Sequence, residues 1–319
     1  MCSKIGVFWI AVCLMLILLL GNMIPVADSE SRFIGANEAI DVPETRNLYL
    51  AGVPHAPIVI DGDANFSDTA LIEGWSGNGS YGNPYIIDGL NIDLDSNTGH
   101  CISISNTMVY FTISNCYLVG ANVDSGSGIY LENVQNGRIV DNFCQLNTHG
   151  IFILGRGSRN CVLENNTFTQ NAISGIQLVA SLNITIKQNN CSNNYYGINV
   201  IDLTGQSGHS GEHIIASNLC YNNSYGITLG DFNPESIAPV LCMVTDNNCS
   251  ANYNDGIRIV NPGYNIISKN NCNRNGASGI LLRIDTSNNT LVENNCNDNN
   301  QSGIYIYQSS FYNNLTANT

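Results

Sequence analysis

The chain carries little charge, and little of that is basic: 11 lysines and arginines stand against 25 aspartates and glutamates in 319 residues, for a formal net charge of −14. That balance repels phosphate backbones and anionic lipid surfaces, so it excludes nucleic acid as a partner and favours neutral glycans or cations. Charged residues make up only 11% of the chain while 44% are apolar, which excludes a disordered polyampholyte. The surface must therefore be polar through Asn, Ser, Thr and Gly. Helical periodicity and heptads are absent, and methionine is scarce at five residues. The five histidines are scattered, at His55, His100, His149, His209 and His213.

What fills the chain instead is a repeat. Glycine followed by Ile recurs at Gly128, Gly150, Gly175, Gly197, Gly226, Gly256, Gly279 and Gly303, spaced 22 to 30 residues apart. Eight or nine residues before all but the first stands an asparagine: Asn142, Asn166, Asn189, Asn218, Asn247, Asn270 and Asn294. Two positions after each comes Cys144, Phe168, Cys191, Cys220, Cys249, Cys272 or Cys296, and three further on a second asparagine, Asn147, Asn171, Asn194, Asn223, Asn252, Asn275 or Asn299. After each glycine the residues alternate, as in Gly303-Ile-Tyr-Ile-Tyr, the period of two that puts Ile and Leu on one face of a strand. Coils this short, with two or three β segments each, bury their apolar faces only by stacking on one another. The pattern predicts an all-β parallel β-helix of about eight to ten coils of 22–30 residues, with its asparagines in structural ladders.

Twelve cysteines would ordinarily suggest a disulfide scaffold. Cys2 and Cys13 lie in the leader, and the spacing assigns Cys116 to the same ladder position as the six cysteines above. In-register neighbours on parallel strands lie about 4.8 Å apart, beyond the ~3.5 to 4.5 Å between Cβ atoms that a disulfide prefers. An inward stack of reduced thiols acting as small hydrophobes is expected, with a few strained disulfides or a thiolate cluster binding a soft metal as the alternatives.

The N-terminus reads Met1-Cys-Ser-Lys4, then an apolar run from Ile5 to Leu20 and an Ala27-Asp28 junction, which predicts a signal peptide or an uncleaved membrane anchor over 1–27. Either way the solenoid is expected to be exported, secreted or held at the cell surface. An extended leader follows over 28–57, first coils and an N-terminal cap over 58–100, and repeats over 101–319 with no C-terminal cap in the pattern. An uncapped end is an exposed edge, open to self-association or to a further part of a longer protein. Ten Asn-x-Ser/Thr sequons, beginning at Asn65, Asn78, Asn165, Asn183, Asn190, Asn222, Asn248, Asn288, Asn300 and Asn314, fit a glycosylated surface protein.

The coil pattern, with Ile58-Val-Ile-Asp-Gly, Gly74-Trp-Ser-Gly-Asn-Gly-Ser and Asn83-Pro-Tyr-Ile-Ile-Asp-Gly-Leu-Asn-Ile before it, resembles the right-handed parallel β-helix repeat proteins, in particular the NosD-like and carbohydrate-associated group, over roughly 58–319. The resemblance implies a right-handed solenoid and a function among pectate lyases, polygalacturonases, epimerases, copper-delivery proteins and large surface proteins. It does not choose among them. No Arg-x-x-Pro-x-x-Arg run of a pectate lyase occurs, nor the paired aspartates and Gly-His-Gly of a polygalacturonase; Gly256-Ile-Arg258-Ile259 is the nearest fragment. The scarcity of Met and the scattered His argue against NosD-like metal delivery.

Chemistry is expected where two adjacent coils lengthen. From glycine to the next ladder asparagine most coils count 14 to 16 residues, but those of Gly197 and Gly226 count 21. The insertions, about Leu203 to Glu212 and Phe232 to Pro239, should wall a cleft. At its base Asp202 and Asp231 both lie five residues after their glycines and should stack on neighbouring coils, with His209, Glu212 and His213 in the first insertion and Glu235 in the second. Paired aspartates there suit acid–base cleavage of a glycoside, with His209 or His213 in proton transfer, or calcium ligation. Solvated loop residues would look the same. Outward on the same sheet should lie Tyr130, Glu132, Phe152, Gln177, Asn199, Thr228, Arg258, Leu281, Arg283, Tyr305 and Tyr307, a set suited to an extended polysaccharide; Arg258, Asn199, Tyr305 and Tyr307 are its candidate ligand contacts. The reading this supports is a protein that binds or organises surface polysaccharide. The alternatives are a hydrolase, lyase or epimerase acting on one, and a structural surface scaffold or NosD-like metal-associated protein.

Overall fold

A computed structural model describes residues 52–202, 210–230, 239–261 and 263–319. The apolar leader, Asp231, His209 and Glu235 lie outside the described residues. Among the described ones no helix is long and apolar enough to cross a membrane.

Every strand pairing between named strands is parallel. A long sheet of ten strands runs from Ile58–Asp61 to Ser302–Tyr307, a second of ten from Tyr85–Asp88 to Asn314–Thr316, and a third of five from Val53–Pro54 to Thr167–Thr169. The third continues as single bridges, Thr167 to Asn190, Asn190 to Leu219, Leu219 to Asn248, Asn248 to Asn271 and Asn271 to Asn295. Each coil visits the three sheets in turn, giving an all-parallel solenoid with one hydrophobic core running along its axis. One helix, α1 (Gly62–Glu73), interrupts the first coil and places Phe66 in that core, its ring stacked 5.0 Å from Tyr85 and tilted 5.3 Å from Phe111.

The corners explain the repeat. The residue before every ladder asparagine of the first series, from Asp141 and Asn165 through Lys269 and Glu293, is left-handed, with φ of 56 to 58°. So is the residue before every asparagine of the second, from Leu146 to Asp298, with φ of 54 to 58°. None is glycine, so each position stores backbone strain that surrounding contacts must hold. The next residue supplies them. Asn218 is typical: its Nδ2 donates to the Ile186 carbonyl at 3.0 Å and to Asn247 Oδ1 at 2.9 Å, and its Oδ1 accepts from the backbone N–H of Asn189 at 2.9 Å and from Asn189 Nδ2 at 3.0 Å. The ladder runs unbroken from Asn142 to Asn318.

The glycines answer a different need. Gly128, Gly150, Gly175, Gly197, Gly226, Gly256 and Gly279 do not require positive φ; a Cβ on any of them would lie 2.4 to 2.8 Å from the carbonyl oxygen of the next glycine in the series. The strand enters the long sheet so close to its neighbour that only hydrogen fits.

A third corner, leading into the second sheet, follows the same rule without a constant residue. Register places Tyr85, Phe111, Gly137, Cys161, Ile184, His213, Cys242, Asn265, Asn289 and Asn313 at equivalent inward positions. Cys116 corrects the sequence reading: its backbone N–H donates to Asn142 Oδ1, so it occupies the asparagine position, and Leu118 stands where Cys144 does in the next coil. The ten described cysteines are all buried and free.

Candidate ligand-binding face

The long sheet sets three outward rows. The middle row is Tyr130, Phe152, Gln177, Asn199, Thr228, Arg258, Leu281 and Tyr305. One flanking row contains Glu132, Arg283 and Tyr307. The other contains His149, Ser174, Tyr196 and Tyr225, with Asp255 next in line.

At its centre the face is closed rather than open. Gln177, Asn199, Thr228 and Arg258 point outward yet are all buried. Asn199 Nδ2 donates to Gln177 Oε1 at 3.0 Å, and Ser174 Oγ donates to the same oxygen at 2.9 Å. The Arg258 guanidinium lies 3.8 Å from the centroid of Tyr225 and 5.9 Å from that of Tyr196, rings that stack on each other at 5.6 Å. Stacking on aromatic faces is the contact a weakly hydrated guanidinium tolerates when it is desolvated. Beside it Asp255 accepts from the Ser278 N–H at 3.0 Å, and burial raises its carboxyl above the usual carboxylate range against the opposing pull of that bond and of Arg258. Tyr196, Tyr225 and Asp255 were missed in the sequence; the signal for them was their place immediately before the repeating glycine, two residues from the inward Ile.

Towards the N-terminal end His100 stacks on Tyr130 at 4.3 Å and 11°, and the Tyr130 hydroxyl donates to Glu132 at 3.0 Å. Burial lowers His100 to about 4 and His149 to about 3, so both are neutral imidazoles at physiological pH. Towards the C-terminal end the surface opens. Tyr305 and Tyr307 are 44% and 46% exposed, with rings 5.8 Å apart at 18°, and the Arg283 guanidinium lies 5.9 Å from the Tyr307 centroid.

The aspartate cleft is placed as follows. Asp202 is buried and ion-paired to Arg156 Nη2 at 3.0 Å, and its second oxygen accepts from the Ser210 N–H at 3.2 Å. Asp231 lies outside the described residues, so no geometry joins the pair. His213 does not accompany Asp202 on the surface: it faces the core at the third corner, is wholly buried, and its Nδ1 accepts from the Ile184 N–H at 3.1 Å. A group enclosed there is out of reach of a ligand on the outer face, which corrects the expectation of His213 as proton-transfer partner. Among the described residues no group of three or more His, Cys, Asp or Glu is placed to hold a metal ion.

The burial of His213 has a consequence for stability. Its folded pKa is held down to about 3, below the ordinary 6.5 that it regains on unfolding. The unfolded state therefore binds the extra proton; the stability that the neutral ring contributes is fully present above pH 6.5 and is lost as pH falls from there through about 3. Asn fills the same position three times further along, at Asn265, Asn289 and Asn313, so His213→Asn keeps an acceptor for the Ile184 N–H. Urea titrations of the two proteins should agree at pH 8, and the variant should be the more stable by about 2 kcal/mol at pH 5. A gap that is the same at both pH values would refute a buried neutral ring.

The profile described as right-handed β-helix region matches residues 77–238 and 240–319. The chain belongs to the right-handed β-helix family. No curated protein matches it. Among solved structures this β-helix is similar to a point variant of the periplasmic alginate epimerase AlgG, at 17% identity and a TM-score of 0.52 over 74% of each chain. It is also similar to the Dettilon tailspike protein, at 18% identity and a TM-score of 0.51, over 73% of this chain and 53% of the tailspike. At such identities the likeness is one of fold.

Proposed function

We propose that this β-helix is an exported protein that binds extended polysaccharide along the outward face of its long sheet. The observation that carries the reading is the Tyr305–Tyr307 platform: two roughly parallel rings, nearly half exposed, on one strand of a flat sheet with Arg283 beside them. Aromatic faces give a sugar ring a large contact area at little cost in side-chain freedom, and the guanidinium supplies donors for its hydroxyls. The net charge of −14 favours a neutral chain over a polyanion. The apolar N-terminal run supports export, and the alginate epimerase among proteins of the same fold supports a polysaccharide ligand.

A second reading, chemistry on a glycan, draws on Asp255, a carboxyl whose proton affinity burial has raised, set beside Arg258 and Tyr225. One experiment separates the two. Full-length protein is run through gels containing neutral or acidic polysaccharides while new chain ends are assayed. Binding predicts retention that drops about tenfold in a Tyr305→Ala/Tyr307→Ala variant, without new ends. New ends that vanish in Asp255→Asn would establish an enzyme. Retention unchanged by loss of both tyrosines sinks the platform, and no retention at all favours a structural scaffold.

A further inference from the structure

The core holds five thiols in one unbroken file. Cys191, Cys220, Cys249, Cys272 and Cys296 occupy one position in successive coils, because Asn190 pairs with Leu219, Leu219 with Asn248, Asn248 with Asn271, and Asn271 with Asn295. All are buried and free. Phe168 closes the file and separates it from Cys144.

We propose that this file binds soft monovalent d10 cations, the class of Cu(I) and Ag(I), each held in linear two-coordination between the sulfurs of adjacent coils. Thiolate sulfur selects such ions over hard cations. The spacing agrees: metal–thiolate bonds of roughly 2.3 Å placed end to end span about 4.6 Å, against a coil repeat of about 4.8 Å. Zinc is disfavoured because it wants four ligands arranged tetrahedrally, and each gap here offers two sulfurs on one axis.

Charge also balances. Uptake of one ion breaks one S–H bond, forms one metal–thiolate bond and one dative bond from the lone pair of the neighbouring sulfur, and releases the proton to solvent, so the dry core gains no net charge. Five sulfurs leave four gaps, and Cys220 and Cys272 between them border all four. Since the sulfurs are enclosed, loading occurs as the coils stack.

The test is to refold the full chain from denaturant with silver nitrate, remove loose metal by gel filtration, and count silver by mass spectrometry, with circular dichroism to establish folding. Cys249→Ser leaves only the Cys191–Cys220 and Cys272–Cys296 gaps and should lower the count by about two. Cys272→Ser also leaves two gaps and serves if the first variant does not fold. Cys161→Ser, whose ladder neighbours are Gly137 and Ile184, should lower it by none. X-ray absorption should find two sulfurs per silver, and each ion should release one proton. Equal losses in the Cys249 and Cys161 variants, three or more sulfurs per silver, or no silver retained by the folded protein would each overturn the proposal.

Discussion

Replacing Asn218 by alanine is expected to destabilise the protein by roughly 4 kcal/mol, measured as the change in guanidinium-induced unfolding free energy. The side chain is wholly enclosed and serves four groups at once: the Ile186 carbonyl, Asn247 Oδ1, and both the backbone N–H and Nδ2 of Asn189. Alanine leaves all four without this partner in a region water does not reach, and each buried orphan costs about 1 to 3 kcal/mol. Part of the sum is recovered because Asn189 Nδ2 keeps its bonds to the carbonyls of Leu163 and Lys187, and because Asn247 Oδ1 still accepts from the backbone N–H of residue 218, which alanine retains. The strained residue before it, Ser217 at φ 57°, also loses the clamp that holds the corner. Truncating an exposed corner side chain such as Lys269, which keeps its backbone geometry and loses only a 4.0 Å contact with Glu293, should change stability by less than about 0.5 kcal/mol. If the two substitutions cost the same, the amide ladder is not what secures the corners.

The second large effect is expected at Gly226. An alanine Cβ there would lie 2.4 Å from the Gly256 carbonyl oxygen and 2.9 Å from Asn252 Nδ2. The oxygen belongs to backbone held in a parallel ladder on both sides, so relief means prising two coils apart. Overpacking of this kind costs about 3 kcal/mol. Gly82→Ala is the control: nothing lies within 4 Å of its Cβ, and its φ is not in the left-handed range. Thermal unfolding followed by circular dichroism should show a large loss for the first and almost none for the second. A small loss at Gly226 would mean that the coils are looser than their register implies.

Much of the fold was legible because one-per-coil needs select one residue type. A Cβ-free approach selects glycine, and an inward group that donates and accepts along an axis selects asparagine, so both recur visibly. The third corner resisted reading for the converse reason: its inward position is filled by whatever packs locally, aromatic at Tyr85 and Phe111, thiol at Cys161, imidazole at His213, amide from Asn265 onward. Without a constant type, His213 read as a loop residue. Cys116 was misplaced by two positions because the first coils carry leucine and isoleucine, not cysteine, at the thiol position. On the outer face alternation gave the direction of Asn199 and Arg258 correctly but not their burial, which depends on neighbours brought in by other coils.

The left-handed corners also separate what the molecule displays from what it stands on. Asp141, Asn165, Gln188, Ser217, Asp246, Lys269, Glu293 and Ala317 share one backbone geometry, and their chemistry ranges from acid to base to methyl. The amide behind each holds the bend, so its own side chain is free to be anything. The file works as a ruler with blank graduations: a row of surface groups at the strand repeat of about 4.8 Å, rewritable one mark at a time without disturbing the rod.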